Sequence, residues 1–215
     1  SKVSTFVGEV NNFNQIEIIC STSTKCQAVQ KGKIVDEEEL SSAIAKTIRE
    51  VEDISNLQVN SAYTTIPGKY ITIVQNSIVK DAKDKFAGIS IKDVASAIIQ
   101  VRDIEVPEDK VLIDIVPDKF ILEDGKPVED PVGKFSSNFT LTAQIILAEK
   151  EYMKKLTSVF KKAGVEIDGV VPSVLAERNL VLDTNELNDN VMILDIGAGN
   201  TDIGVFSGSS FVYTN

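Results

Sequence analysis

The sequence contains no histidine and no tryptophan among its 215 residues. Without imidazole, the serine and cysteine triads and most catalytic zinc sites are excluded, because each needs that ring as base or ligand. Only two cysteines occur, Cys20 and Cys26, and a chain of this size buries enough surface to do without a disulfide, so both are expected as reduced thiols. Apolar runs such as 111–116 and 141–148 fall far short of the roughly 20 residues that a bilayer crossing requires. No basic segment followed by an apolar stretch opens the chain, so no secretory signal is expected and the compartment is expected to be cytosolic. Basic residues are in deficit, 22 against 32 acidic ones, for a net charge of −10. Such a surface repels phosphate backbones, and no basic cluster interleaved with aromatics offsets it, so nucleic acid is not an expected partner.

What is present is ordinary globular composition, 43% apolar and 25% charged, enough for one large domain or two small ones. Residues 3–10 and 15–22 read as a hairpin turning at Asn11, Asn12 and Asn14. Asp36 with Glu39 is a capping-box pattern, and Leu40, Ile44, Ile48 and Val51 follow at helical spacing. Residues 61–66 and 70–79 are strand-like, with Pro67-Gly68 suited to a turn between them. Ser90 with Asp93 caps a second helix whose stripe is Ile91, Val94, Ile98 and Val101. Strands are expected at 110–116, 119–123 and 139–148, then helices at 150–163 and 172–182 flanking a strand at 165–171. Three last strands, 191–196, 201–206 and 210–214, are joined by glycine turns.

The segment richest in chemistry is Asp195-Ile196-Gly197-Ala198-Gly199-Asn200-Thr201-Asp202, in which an apolar strand delivers an aspartate into a glycine turn. Glycines at 197 and 199 can take positive φ and let backbone N–H groups approach a phosphate, while Asp195 can hold a cation that neutralises it. A tight hairpin with solvated aspartates explains the same letters. No Gly-Lys-Ser/Thr follows, and no helix opens after the glycines, so neither a Walker loop nor a Rossmann fingerprint is present.

Four stretches together, residues 1–3, 31–36, 130–133 and 195–206, resemble the FtsA family of bacterial cell-division proteins within the actin/Hsp70 ATPase superfamily. The resemblance implies an α/β fold: an actin-like, ribonuclease H-like subdomain 1A (1–80 and 164–190), an inserted α+β subdomain 1C (81–163) and the first strands of subdomain 2A (191–215). It implies that Ser1 and Lys2 end a first phosphate loop and that Gly197, Ala198, Gly199, Asn200 and Thr201 form the second, with Asp195 near a magnesium ion. Ala198 and Asn200 stand where the family usually has glycine and threonine. By the same resemblance the cofactors are ATP and Mg2+ in the full-length protein, with weak or no binding by this piece. The partners are FtsZ and other divisome proteins, further copies in a filament, and the membrane through a C-terminal helix beyond Asn215. The expected location is the cytoplasmic face of the membrane at the division septum.

The expectation is a nucleotide-binding scaffold and not a turnover enzyme, with weak ATPase activity conceivable in the full-length form. The alternative is a sugar kinase or ATPase of the same superfamily, for which Ser173 is the nearest candidate to position water. A third reading takes the acidic stretch 123–130 as a cation site, with solvated turns as the competing explanation.

Overall fold

The computed structural model describes residues 2–13, 15–84, 87–183, 185–197 and 199–215. In chain order the elements begin β1 (Lys2–Val10), β2 (Ile16–Lys25), β3 (Val29–Gln30), β4 (Lys33–Ile34), α1 (Glu37–Ser55), β5 (Ser61–Ile66) and β6 (Ile71–Asp81). They continue with α2 (Ile91–Val101), β7 (Lys110–Leu122), β8 (Pro127–Val128), β9 (Asn138–Glu149), α3 (Lys150–Ala163) and β10 (Glu166–Pro172). The chain ends with α4 (Ser173–Val181), β11 (Asn190–Ile196), β12 (Thr201–Ser207) and β13 (Ser210–Thr214). Two compact units result, one of residues Ser1–Thr65, Lys150–Val170 and Ile196–Thr201, the other of Ile66–Glu149, Val171–Asp195 and Asp202–Asn215.

In the first unit the spacing of Leu40, Ile44, Ile48 and Val51 puts all four on one buried face of α1, which packs on β1, β2 and α3. Each fully buried side chain of this kind contributes about 1.5–3 kcal/mol. The α1 N-cap is Asp36, whose carboxylate accepts the Glu39 N–H at 2.9 Å. The other half of the expected capping box is not formed. The Glu39 carboxylate accepts from the Gln27 N–H at 2.7 Å, and the Asp36 N–H donates to the Ala28 carbonyl at 3.3 Å. α3 buries Tyr152, Leu156, Val159 and Phe160, and its Lys162 reaches Glu38 on α1 at 2.6 Å. β3 and β4 form a two-residue hairpin whose central pair, Lys31 and Gly32, has φ of 49° and 69°.

In the second unit the sheet order is β6-β9-β7-β8 with antiparallel pairing throughout. Ala97 and Val101 of α2 pack with Phe120, Phe139, Leu141 and Ala143 of the sheet. The Ser90–Asp93 capping box forms as the sequence indicates. The two strands expected at 110–116 and 119–123 are one strand, β7, because two register shifts each absorb an extra residue, Ile113 and Asp118. Pro117 sits opposite Ala143 of β9 at the second of these shifts, where a proline in a strand is tolerated, and β8 pairs only with Phe120 and Ile121. β6 pairs with β9, and β5 pairs with β10, so Pro67-Gly68 does not join two strands of one hairpin. β11, β12 and β13 form a separate three-stranded sheet, as the sequence indicates.

Candidate functional site

The glycine turn lies between β11 and β12. Its closing bond is the Gly197 N–H to the Asn200 carbonyl, 2.9 Å. Gly197 does not have positive φ, contrary to the conformational reason expected for it. Gly197 is needed for space instead: a Cβ there would sit 3.2 Å from the Asn200 carbonyl oxygen. Among the described residues the nearest atom to a Cβ on Gly199 would be the Lys31 backbone nitrogen, 3.8 Å away. Gly197, Gly199 and Thr201 are exposed and Asn200 is half-buried, so the turn presents its backbone to solvent. Ala198 and Ser1 lie outside the described residues. Lys2 is exposed at the start of β1, opposite Lys25 on β2.

Asp195 lies on β11 and Asp202 on the neighbouring β12. Asp195 is exposed, while Asp202 is buried and accepts the Gly68 N–H at 3.0 Å. Glu177 of α4 faces the same pair. Burial pushes its carboxyl above the usual range, and the negative charges of Asp195 and Asp202 push it further in the same direction. The helix is seated by Val174, which packs where Gly204 has no side chain, and by Arg178, which lies 5.1 Å over the Phe206 ring. Arg178 also donates to the carbonyls of Leu187 at 2.7 Å and Gly208 at 2.9 Å, fixing the turn after β12.

Asp195 lies on β11 and the glycine turn follows it, as read from the sequence, whereas Glu177 and Asp202 were not among the site residues named from the sequence. The signal for Asp202 was its position as the mirror of Asp195 about the turn. Glu177 had only its helical spacing from Val174. Ser173 donates to the Ile66 carbonyl at 3.2 Å, tying α4 to the end of β5. In the acidic stretch the carboxylates are taken up locally: Asp124 by the Lys126 N–H and ammonium, Asp130 by the Val132 N–H, and Glu123 by Ser137. A cavity of about 340 Å³ in the first unit, bounded by Ile48, Glu52, Asn60 and Gly164 among others, contains none of the candidate residues. Among the described residues no helix is long and apolar enough to cross a membrane.

Residues 68–147 match the family model of the SHS2 domain inserted in FtsA. Over its full length the chain is 25% identical to cell division protein FtsA of Bacillus subtilis and covers 48% of it. It is 26% identical to that of Borreliella burgdorferi and 24% to that of Escherichia coli K12, again over all of this chain, covering 52% and 50% of those proteins. The chain thus spans about half the length of the curated relatives it matches. Among solved structures, a chain of the PilM-PilN type IV pilus biogenesis complex shares the fold with a TM-score of 0.56 at 16% identity, over all of this chain and 58% of that one.

Proposed function

As a relative of the FtsA cell-division proteins whose residues 68–147 match their inserted SHS2 domain, this chain is, we propose, part of an actin-like division scaffold and not of a turnover enzyme. The SHS2 match is the observation that carries the reading. In the intact protein, ATP with Mg2+ holds two domains together and favours filaments. FtsZ and other divisome proteins dock on it, and a C-terminal helix holds it to the inner face of the membrane at the septum.

The residues of the turn fit a nucleotide phosphate accompanied by a cation. The Gly199 N–H and the side chains of Asn200 and Thr201 donate to phosphate oxygens, with Ser1 and Lys2 contributing from the other phosphate segment, while the Gly197 N–H closes the turn on the Asn200 carbonyl. Asp195 holds the cation, which supplies the positive charge that the phosphate needs.

Two outcomes follow for the intact protein. Mg·ATP binds and ATP with a chelator does not, measured by titration calorimetry. Sedimentation with Mg·ATP and FtsZ yields co-pelleted polymer without stoichiometric ATP consumption. Turnover that leaves a phosphorylated small-molecule acceptor would instead establish the kinase alternative.

A further inference from the structure

We propose that the cavity bounded by α1, residues 58–60 and residues 163–165 binds a small zwitterion of the α-amino-acid class, its carboxylate on the Arg49 guanidinium and its ammonium on the Glu52 carboxylate. The cavity, about 340 Å³, is lined only by residues of the first unit, and the proposal does not depend on the phosphate reading of the turn at 197–201. Its volume lies at the lower end of the roughly 300–1,000 Å³ of small-molecule sites.

Three features of the wall carry the inference. Arg49 and Glu52 lie three residues apart on α1, a spacing that puts both on one side of the helix. Each is held by a backbone group: the Arg49 Nε donates to the Ala45 carbonyl at 3.2 Å, and one Glu52 oxygen accepts the Val59 N–H at 2.8 Å. A cation and an anion are thereby pinned separately in one cavity, which leaves the terminal guanidinium nitrogens and the second carboxylate oxygen to a ligand. The carboxyl end of α3, at Ala163 and Gly164, forms another part of the wall, and the negative end of a helix dipole attracts an ammonium. Ile48 and Val165, both buried, supply apolar surface, while the amides of Gln58 and Asn60 can donate to a carboxylate or accept from an ammonium. A ligand with a carboxylate alone would be repelled by Glu52 and by the helix end, and one with an ammonium alone would be repelled by Arg49. A ligand carrying both charges on neighbouring carbons, with an aliphatic side chain against Ile48 and Val165, meets every part of this wall. Arg49 and Asn60 are exposed and Glu52 is half-buried, so such a ligand reaches them without rearranging the core.

The test is an amide NMR titration of the chain with leucine, and with N-acetyl-leucine and leucinamide, each of which lacks one of the two charges. The expected result is shifts at Arg49, Glu52, Asn60 and Gly164 that saturate by about 10 mM leucine, as a millimolar Kd requires. Each analogue should bind about tenfold more weakly, the loss of one charge-assisted contact. Glu52→Gln keeps an acceptor for the Val59 N–H, so it should unfold in urea close to the parent yet bind leucine about tenfold more weakly. Arg49→Gln should lose as much, and Arg49→Lys, which keeps the charge but not the planar fork, should lose less. Equal binding of leucine and either analogue would reduce the cavity to a site for one charge and overturn the proposal. So would unchanged leucine affinity in Glu52→Gln or Arg49→Gln, shifts confined to other residues, or no shift with any of the three probes. None of these outcomes bears on the nucleotide reading, which Mg·ATP tests at 197–201.

Discussion

Replacing Gly68 with alanine isolates one packing requirement. Gly68 lies in a single 3-10 turn after Pro67 and has no positive φ, so alanine can adopt its backbone. The obstacle is steric: the new Cβ would lie 2.2 Å from the Thr214 hydroxyl oxygen and 2.9 Å from the Asn215 backbone. Gly68 also donates its N–H to the buried Asp202 carboxylate at 3.0 Å, so pushing β13 away strains that bond as well. Overpacking costs about 1–3 kcal/mol. A lost hydrogen bond to a charged group adds about 1.5–3 kcal/mol. The entropy that alanine removes from the unfolded chain returns about 0.4–1 kcal/mol. The expected net loss is about 2–4 kcal/mol, or a fall in Tm of roughly 5–15 °C for a chain of this size, read by urea and thermal unfolding. Thr214→Ala should itself be nearly silent, since the buried Thr214 hydroxyl has no hydrogen-bond partner. Combined with Gly68→Ala it should recover part of the loss and leave the Asn215 clash. A change below about 0.5 kcal/mol for Gly68→Ala alone would refute the close approach.

Ser90→Ala removes the α2 cap and should cost about 1 kcal/mol in urea unfolding at neutral pH. The Ser90 side-chain and backbone hydrogen bonds hold the Asp93 carboxyl below the usual aspartate range, so its contribution is present above the unfolded pKa and lost as pH falls through the lowered folded value. The gap between the parent and Asp93→Asn should therefore close below about pH 4. Glu177 has the opposite sign: its folded pKa is raised, so its ionised form opposes folding at neutral pH. Glu177→Gln should raise Tm at pH 7, and the gain should vanish once the pH drops below the unfolded glutamate value of about 4.3.

Features coded by neighbouring residues were legible in the sequence, and features that depend on distant partners were not. The α2 capping box and the α1 stripe needed only residues within a few positions of one another. At α1, Asp36 capped as expected, but Glu39 was claimed by the Gln27 N–H, a competitor that no local pattern reveals. Pro67-Gly68 and Pro117-Asp118 both read as interruptions, and neither is a hairpin turn. The first is where a backbone passes close to β13, and the second is a bulge that aims Asp118 at Ser209, whose hydroxyl it accepts at 3.2 Å, and at Ser210. Pairing of β5 with β10 and of β6 with β9 joins residues about 60–105 positions apart, and alternation alone cannot choose such partners.

The candidate site divides the same way. The strand, turn and strand around Gly197 were visible in the letters, because apolar runs bounded by glycines dictate them. Its electrostatics were not, because Glu177 arrives on α4 and the Gly68 N–H from the start of the SHS2 match. Glycine is the residue whose letter says least about its cause. Gly68 is fixed by crowding and Gly164 by a φ of 81°.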